Sequence, residues 1–147
     1  AGSETAMTGA TAMPHSYEVY AVEYERRRGT RSEMTMGSTD MSPADVAYYF
    51  WLLRGGGETV VVDLGFTAAM ARKRGRPDPQ DFAARLKDAG VDPDRVHHVI
   101  VTHLHWDHAG NHHLFPNARF YLQESELALW TGHFAPYPIL SADIEIQ

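Results

Sequence analysis

His103-Leu104-His105-Trp106-Asp107-His108 gathers three imidazoles and one carboxylate within six residues. Immediately before it, Arg95-Val96-His97-His98-Val99-Ile100-Val101-Thr102 reads as a buried strand, because β-branched residues fill its centre and polar residues bound it. Ala109-Gly110-Asn111 follows as a turn or a helix entry. The cluster therefore falls on the loop that leaves a strand, where a rigid scaffold can aim several side chains at one point. Neutral imidazole and carboxylate suit divalent transition metals, zinc foremost. Four such groups exceed what one tetrahedral ion takes from a single loop, so the spacing points to two ions sharing a site. The alternative is a solvated, His-rich loop. The pattern HxHxDH arises by chance in about 2 of 1000 chains of this length, and its place directly after a β-run argues against that alternative.

Working outward, Tyr17 to Tyr24 alternates and reads as a half-buried strand, and Glu25 to Gly37 as an exposed polar loop. Arg26, Arg27, Arg28 and Arg31 in that loop admit a basic substrate clamp, but charge runs usually face water. Val46 to Arg54 and Glu58 to Leu64 form a hairpin about Gly55-Gly56-Gly57. Without a following Lys-Ser/Thr and helix, the triple Gly is a turn and not a phosphate loop. Ala68 to Gly75 is a short helix or irregular. Pro79 to Ala89 is a helix, with Phe82, Leu86 and Ala89 at helical spacing and Gly90 as its stop. Asp107 to Leu114 is expected to start a helix over the His-rich loop. Arg119 to Leu122 is a short strand and Glu124 to Thr131 a helix. Hairpins together with a helical crossover give an α/β layered sheet.

The 147 residues are 44% hydrophobic and 22% charged, enough for one core, and residues 15–147 read as one unit. Residues 1–14 read as a disordered tail or an expression remnant. The formal charge of −6 gives no pull toward nucleic acid or an anionic membrane. No apolar run approaches the roughly 20 residues that cross a bilayer. With no Cys, there is no disulfide framework and no thiolate ligand, so His and carboxylate must hold any metal. The first residues lack the basic-then-apolar pattern of a secretory leader, and the expected location is cytoplasmic.

The chain resembles the metallo-β-lactamase superfamily, whose signature is HxHxDH, and more closely its N-acyl-homoserine-lactone lactonase-like branch. Three stretches carry the likeness: Tyr49 through Gly57, Val60-Val61-Val62-Asp63-Leu64-Gly65-Phe66, and Val99 through Asn111 to Leu114-Phe115-Pro116-Asn117-Ala118-Arg119-Phe120. It runs from about Tyr17 to Thr131. The resemblance implies an αβ/βα sandwich of two similar halves, of which this chain supplies the N-terminal one. The expected complement is a C-terminal half that completes the fold, either a fragment on a separate chain or a part removed by truncation.

By the same resemblance, His103 and His105 bind a first ion, and Asp107 and His108 a second. Asp107 is the anionic ligand on which catalysis rests. Zinc is the expected metal, with iron, cobalt or manganese possible. Asp63 resembles the family's strand-ending Asp that supports the site by hydrogen bonding, or it is simply a turn-forming Asp before Gly65. Thr102 either bonds a ligand or favours the strand. Trp106 either walls a substrate pocket or packs; His133 and Phe134 are weaker pocket candidates, with Phe115 and Tyr137 nearby. His97 and His98 read as strand-edge residues, and His112 and His113 as residues of a helix surface or as supports behind the ligands. Neither these, His133 nor Asp143 has the spacing of the family's remaining ligands. The implied reaction is opening of a small-molecule lactone by a hydroxide held between the ions, that is, quorum quenching. Hydrolysis of a β-lactam, ester or thioester, or iron-dependent oxidation, are the alternatives.

Overall fold

The computed structural model describes residues 16–76 and 79–132. Five strands form one sheet in the order β1-β2-β3-β4-β5. They are β1 (Glu18–Thr30), β2 (Pro43–Gly55), β3 (Glu58–Val62), β4 (His98–Ile100) and β5 (Arg119–Tyr121). The first three run antiparallel, while β3, β4 and β5 run parallel. Between β3 and β4 lie α1 (Ala68–Lys73) and α2 (Phe82–Asp88), and α3 (Glu124–Thr131) follows β5. Among the described residues no helix is long and apolar enough to cross a membrane.

Register decides which residues share a face. Val22 pairs with Phe50, Leu52 with Val61 and Val61 with Val99, so these line one side. That side buries its residues with Tyr24 against Phe82, Leu86 and Ala71 of the two helices. Tyr24 meets Phe66 and Phe82 edge-on, each at 5.3 Å between centroids. The other side carries Val19, Tyr49, Trp51, Ile100 and Tyr121, all exposed.

Several expectations are corrected. β1 does not end at Tyr24: it continues to Thr30 past an irregularity between Glu23 and Glu25, because Glu25–Thr30 pairs with Pro43–Tyr48. The arginines of this arm serve the hairpin itself. Arg26 pairs with Glu23, Arg27 with Glu33, Arg28 with Asp45 at 3.1 Å and Arg31 with Asp40 at 4.0 Å. α2 starts at Phe82, not Pro79. Asp81 caps it by accepting from the Ala83 amide at 2.9 Å, and the Gln80 amide is taken by Glu25. β4 is shorter than Arg95–Thr102, since a 3₁₀ turn occupies Pro93–Arg95. The turn at Gly56 and Gly57, both at positive φ, closes the β2–β3 hairpin as expected.

Residues 107–114 form no α-helix; only a 3₁₀ turn forms there, at His112–Leu114. The loop's backbone is spent elsewhere. The Leu64 amide donates to His108 O at 2.7 Å, and the Gly110 amide to Gly65 O at 2.9 Å. Asn111, buried, donates from Nδ2 to the carbonyls of Leu64 and Phe66. These bonds bring two backbones so close that a Cβ on Gly110 would stand 2.7 Å from Phe66 Cα and 2.8 Å from Gly65 O. Both obstacles are main chain, which cannot swing aside. We therefore expect Gly110→Ala to destabilise the full-length protein by about 1–3 kcal/mol, read as a lowered urea midpoint. An unchanged midpoint would mean the two loops are not stitched as described.

Candidate metal centre

The β3 and β4 ends lie side by side, and two residues just beyond them organise the site. Asp63 follows β3 with φ of 63°, a left-handed conformation that Asp tolerates better than most residues. It is buried, at 3% exposure. Its Oδ1 accepts the Thr102 amide at 2.8 Å, and both its oxygens lie 2.9 Å from the Thr102 hydroxyl. Its Oδ2 lies 2.8 Å from His108 Nδ1. Thr102 Oγ1 in turn lies 3.0 Å from His103 Nδ1.

Donor arithmetic assigns the protons. An ionised carboxylate only accepts, so His108 Nδ1 and the Thr102 hydroxyl both donate to Asp63. The hydroxyl has one proton, so His103 Nδ1 donates to it. Both rings then carry a proton on Nδ1, and in its neutral form each leaves the Nε2 lone pair for a ligand. His108 Nε2 faces Asp107 Oδ2 at 3.7 Å. The His103 ring lies 3.9 Å from that of His108 and 4.7 Å from that of His105, centroid to centroid.

Electrostatics follow this arrangement. Burial alone would raise the Asp63 carboxyl, but the His108 and Thr102 hydrogen bonds outweigh it and hold it below its ordinary value. Burial would lower His108, but the bond to Asp63 and the charges of Asp107 and Asp63 outweigh that and raise it. Burial, followed by the neighbouring His108 and His105 rings, lowers His103 and favours its neutral, ligating form.

The donors are imidazole and carboxylate with no thiolate, the set that borderline divalent cations take. The Nε2 atoms of His103 and His108 are left free by bonds on the opposite side of those rings, and on both counts the residues fit a divalent metal. Among the described residues no three of these groups already close around one point as an ion cage; they stand as adjoining pairs.

Trp106 packs rather than standing free. Its ring lies 4.9 Å from Phe66 and 5.9 Å from Tyr48, with the guanidiniums of Arg74 and Arg76 over it at 4.4 and 4.8 Å. The cleft beside the site, about 220 Å³, is lined instead by Ala47, Tyr48, Tyr49, Trp51, Asp107 and His108. The aromatic run of β2 marks this wall in the sequence, but only its register against β3 brings it to the loop. A larger hollow of about 750 Å³ lies over the exposed sheet face and reaches the site only at Thr102. Phe115 is buried in the core. His112 and His113 are exposed, and His98 Nδ1 bonds the Tyr121 hydroxyl at 2.9 Å. His133, Phe134, Tyr137 and Asp143 lie outside the described residues.

A sheet whose parallel strand ends present HxHxDH over a buried Asp defines a class, and residues 45–143 match the family profile of the metallo-beta-lactamase superfamily. The chain belongs to that superfamily, and membership implies divalent metal ions. Among curated proteins it is 37% identical over 65 residues to N-acyl homoserine lactonase AiiB of Agrobacterium fabrum, covering 42% of this chain and 24% of that protein. It is 44% identical over 49 residues to N-acyl homoserine lactonase AttM of Azorhizobium caulinodans, covering 33% and 19%. A crystal structure of a quorum-quenching N-acyl homoserine lactone lactonase superposes with a TM-score of 0.63 at 23% identity, over 80% of this chain and 49% of that one. AidC, a dizinc quorum-quenching lactonase, superposes with a TM-score of 0.60 at 13% identity, over 88% and 55%. The chain thus has part of the metallo-β-lactamase fold and spans about half the length of these structures.

The Asp63–His108 pair sets a pH window for the metal-free protein. A lowered carboxyl stabilises the fold above its unfolded value, near 4, and that share is lost as pH falls through the folded value. A raised imidazole stabilises below its unfolded value, near 6.5, and that share is lost as pH rises through the folded value. The stability gap between chelator-treated wild type and Asp63→Asn should therefore be widest between about pH 4 and about pH 6.5. A gap that stays flat across urea titrations from pH 3 to pH 8 would contradict the pairing.

Proposed function

We propose that the complete protein is a dinuclear metal hydrolase that opens lactones of the N-acyl-homoserine type, and so silences signals that depend on them. The observation that carries this is the gathering of His103, His105, Asp107 and His108 over Asp63, which bonds His108 Nδ1 directly and reaches His103 Nδ1 through the Thr102 hydroxyl. The similarity to AiiB and AttM supports lactone over the other substrates of this fold. The domain is residues 15–147 with a C-terminal complement, and its location is the cytoplasm.

His103 and His105 would hold one ion, and Asp107 and His108 a second, with zinc the first choice. Divalent ions in such a pair make a nucleophile of water at neutral pH and polarise a carbonyl oxygen. Asp63 and Thr102 keep the imidazoles in the ligating tautomer. Tyr48, Tyr49 and Trp51 wall the cleft at Asp107 and offer an apolar surface to an acyl chain. The Arg74 and Arg76 stack on Trp106 keeps the loop's central residue from swinging.

The full-length protein should bind close to two ions, consume acyl-homoserine lactone with release of one proton per ring, stop with chelator and recover with Zn²⁺, Co²⁺ or Mn²⁺. Asp107→Asn should fold yet lose at least about a hundredfold in rate, as an anionic ligand is removed. Full metal content in the His103→Ala, His105→Ala double variant would overturn the ligand assignment. Turnover of a β-lactam or thioester with lactones untouched would overturn the substrate, and metal-dependent oxidation would overturn the reaction class.

We also propose that the exposed face of Tyr49, Trp51, Ile100 and Tyr121 is where the C-terminal half packs. Apolar surface of this kind associates when uncovered. Residues 1–147 alone should be oligomeric or poorly soluble and inactive, and should bind a hydrophobic dye. A monomeric, active 147-residue product in sedimentation and lactone assays would refute this.

A further inference from the structure

Helix α3 reaches back over 20 residues to the metal loop. Its side chains Glu126 and Trp130 are one turn apart, and Trp130 is the buried residue of α3. The Trp130 indole N–H donates to Glu126 Oε1 at 2.5 Å. The same oxygen accepts the backbone N–H of Leu104 at 2.8 Å. Leu104 stands between His103 and His105, so its amide belongs to the short stretch that spaces those two rings. The Trp130 ring meets the His105 ring at 5.9 Å and 63°.

The plainer reading is that Glu126 serves its own helix. It sits three residues after Gln123, the N-cap, where a carboxylate can turn back to the N-cap amide. Its Oε1 is spent instead on a residue 22 positions away. Two carboxylates thus grip the loop, Asp63 beneath Thr102 and His108, and Glu126 beside Leu104. Asp63 fixes ring tautomers; Glu126 fixes backbone.

We propose that Glu126, braced by Trp130, is a positioning residue that sets the His103–Leu104–His105 geometry and hence the site's grip on the ion those two residues hold. This rests on the metal reading above. Loss of a group that supports a ligand weakens metal binding about 10–100-fold.

The test uses the full-length protein, stripped of metal and titrated with Co²⁺, with amide exchange at Leu104 followed in the metal-free state. Glu126→Leu should bind Co²⁺ about 10–100-fold more weakly, shift its visible absorption bands and speed Leu104 exchange. Glu126→Gln, which keeps an acceptor oxygen, should restore affinity, spectrum and protection. If Glu126→Leu does not fold, Trp130→Phe carries the test, since it deletes the indole donor and keeps a smaller aromatic ring; it should weaken Co²⁺ binding by a smaller factor. Wild-type affinity and spectrum in Glu126→Leu, even with lowered stability, would overturn the proposal, as would failure of Gln to rescue or no change in Trp130→Phe. Should the wild type bind no Co²⁺, the metal reading falls, and unchanged Leu104 exchange in Glu126→Leu overturns the clamp as well.

Discussion

One buried carboxylate, Asp63, holds the functional end of this chain together. A carboxylate at 3% exposure is costly unless its lone pairs are filled. Here an amide, a hydroxyl and an imidazole N–H fill them, and all three come from residues on or beside the His-rich loop. The end of β3 and the end of β4 therefore cannot separate without stranding a buried charge. The left-handed backbone at Asp63 turns the chain away from the sheet at once, and the next residues bond the far side of the same loop. Satisfaction of one acidic group, the path of two loops and the orientation of two imidazoles are one arrangement.

The sheet divides labour between its faces. The face under α1 and α2 is a packed core, dominated by aromatic contacts such as Phe50 on Phe82 at 5.0 Å. The opposite face is aromatic too, yet it is in water. Alternation along β2 sends Phe50 and Leu52 inward and Tyr49 and Trp51 outward, so a strand apolar on both sides serves two layers. The cleft at Asp107 and His108 lies at the rim of the outward face, walled by Tyr49 and Trp51.

What the sequence disclosed was what is local. HxHxDH after a β-run, Asp63 at a strand end, the glycine hairpin and the helix over Glu124–Thr131 follow from spacing and residue type, and the fold places each as expected. What stayed hidden depends on partners far along the chain. The extension of β1 to Thr30 needs its pairing with Pro43–Tyr48. That residues 107–114 form no α-helix depends on the bonds to Leu64 and Gly65. Glu126 and Trp130, four apart on α3, were a visible pair, but nothing in their spacing says that the carboxylate reaches Leu104. Trp106 stood equally for wall and for packing, and it took the cations stacked on it to show how it packs.

Arg76 links parts of the molecule that lie far apart along the chain. Its guanidinium lies 4.7 Å from the Tyr48 ring, 5.2 Å from Phe66 and 4.8 Å from Trp106, and it donates to the Tyr48 hydroxyl at 2.5 Å, which Arg27 also approaches at 3.2 Å. Hairpin arm, post-β3 loop and metal loop meet at one cation. A lysine cannot stack and bond in this planar way, so even that exchange is not neutral. Substitutions here are epistatic: what Trp106 tolerates depends on which residues occupy 48 and 76. Replacing Trp106 alone takes away one of the rings on which the Arg76 guanidinium stacks, so positions 48, 76 and 106 are best varied together.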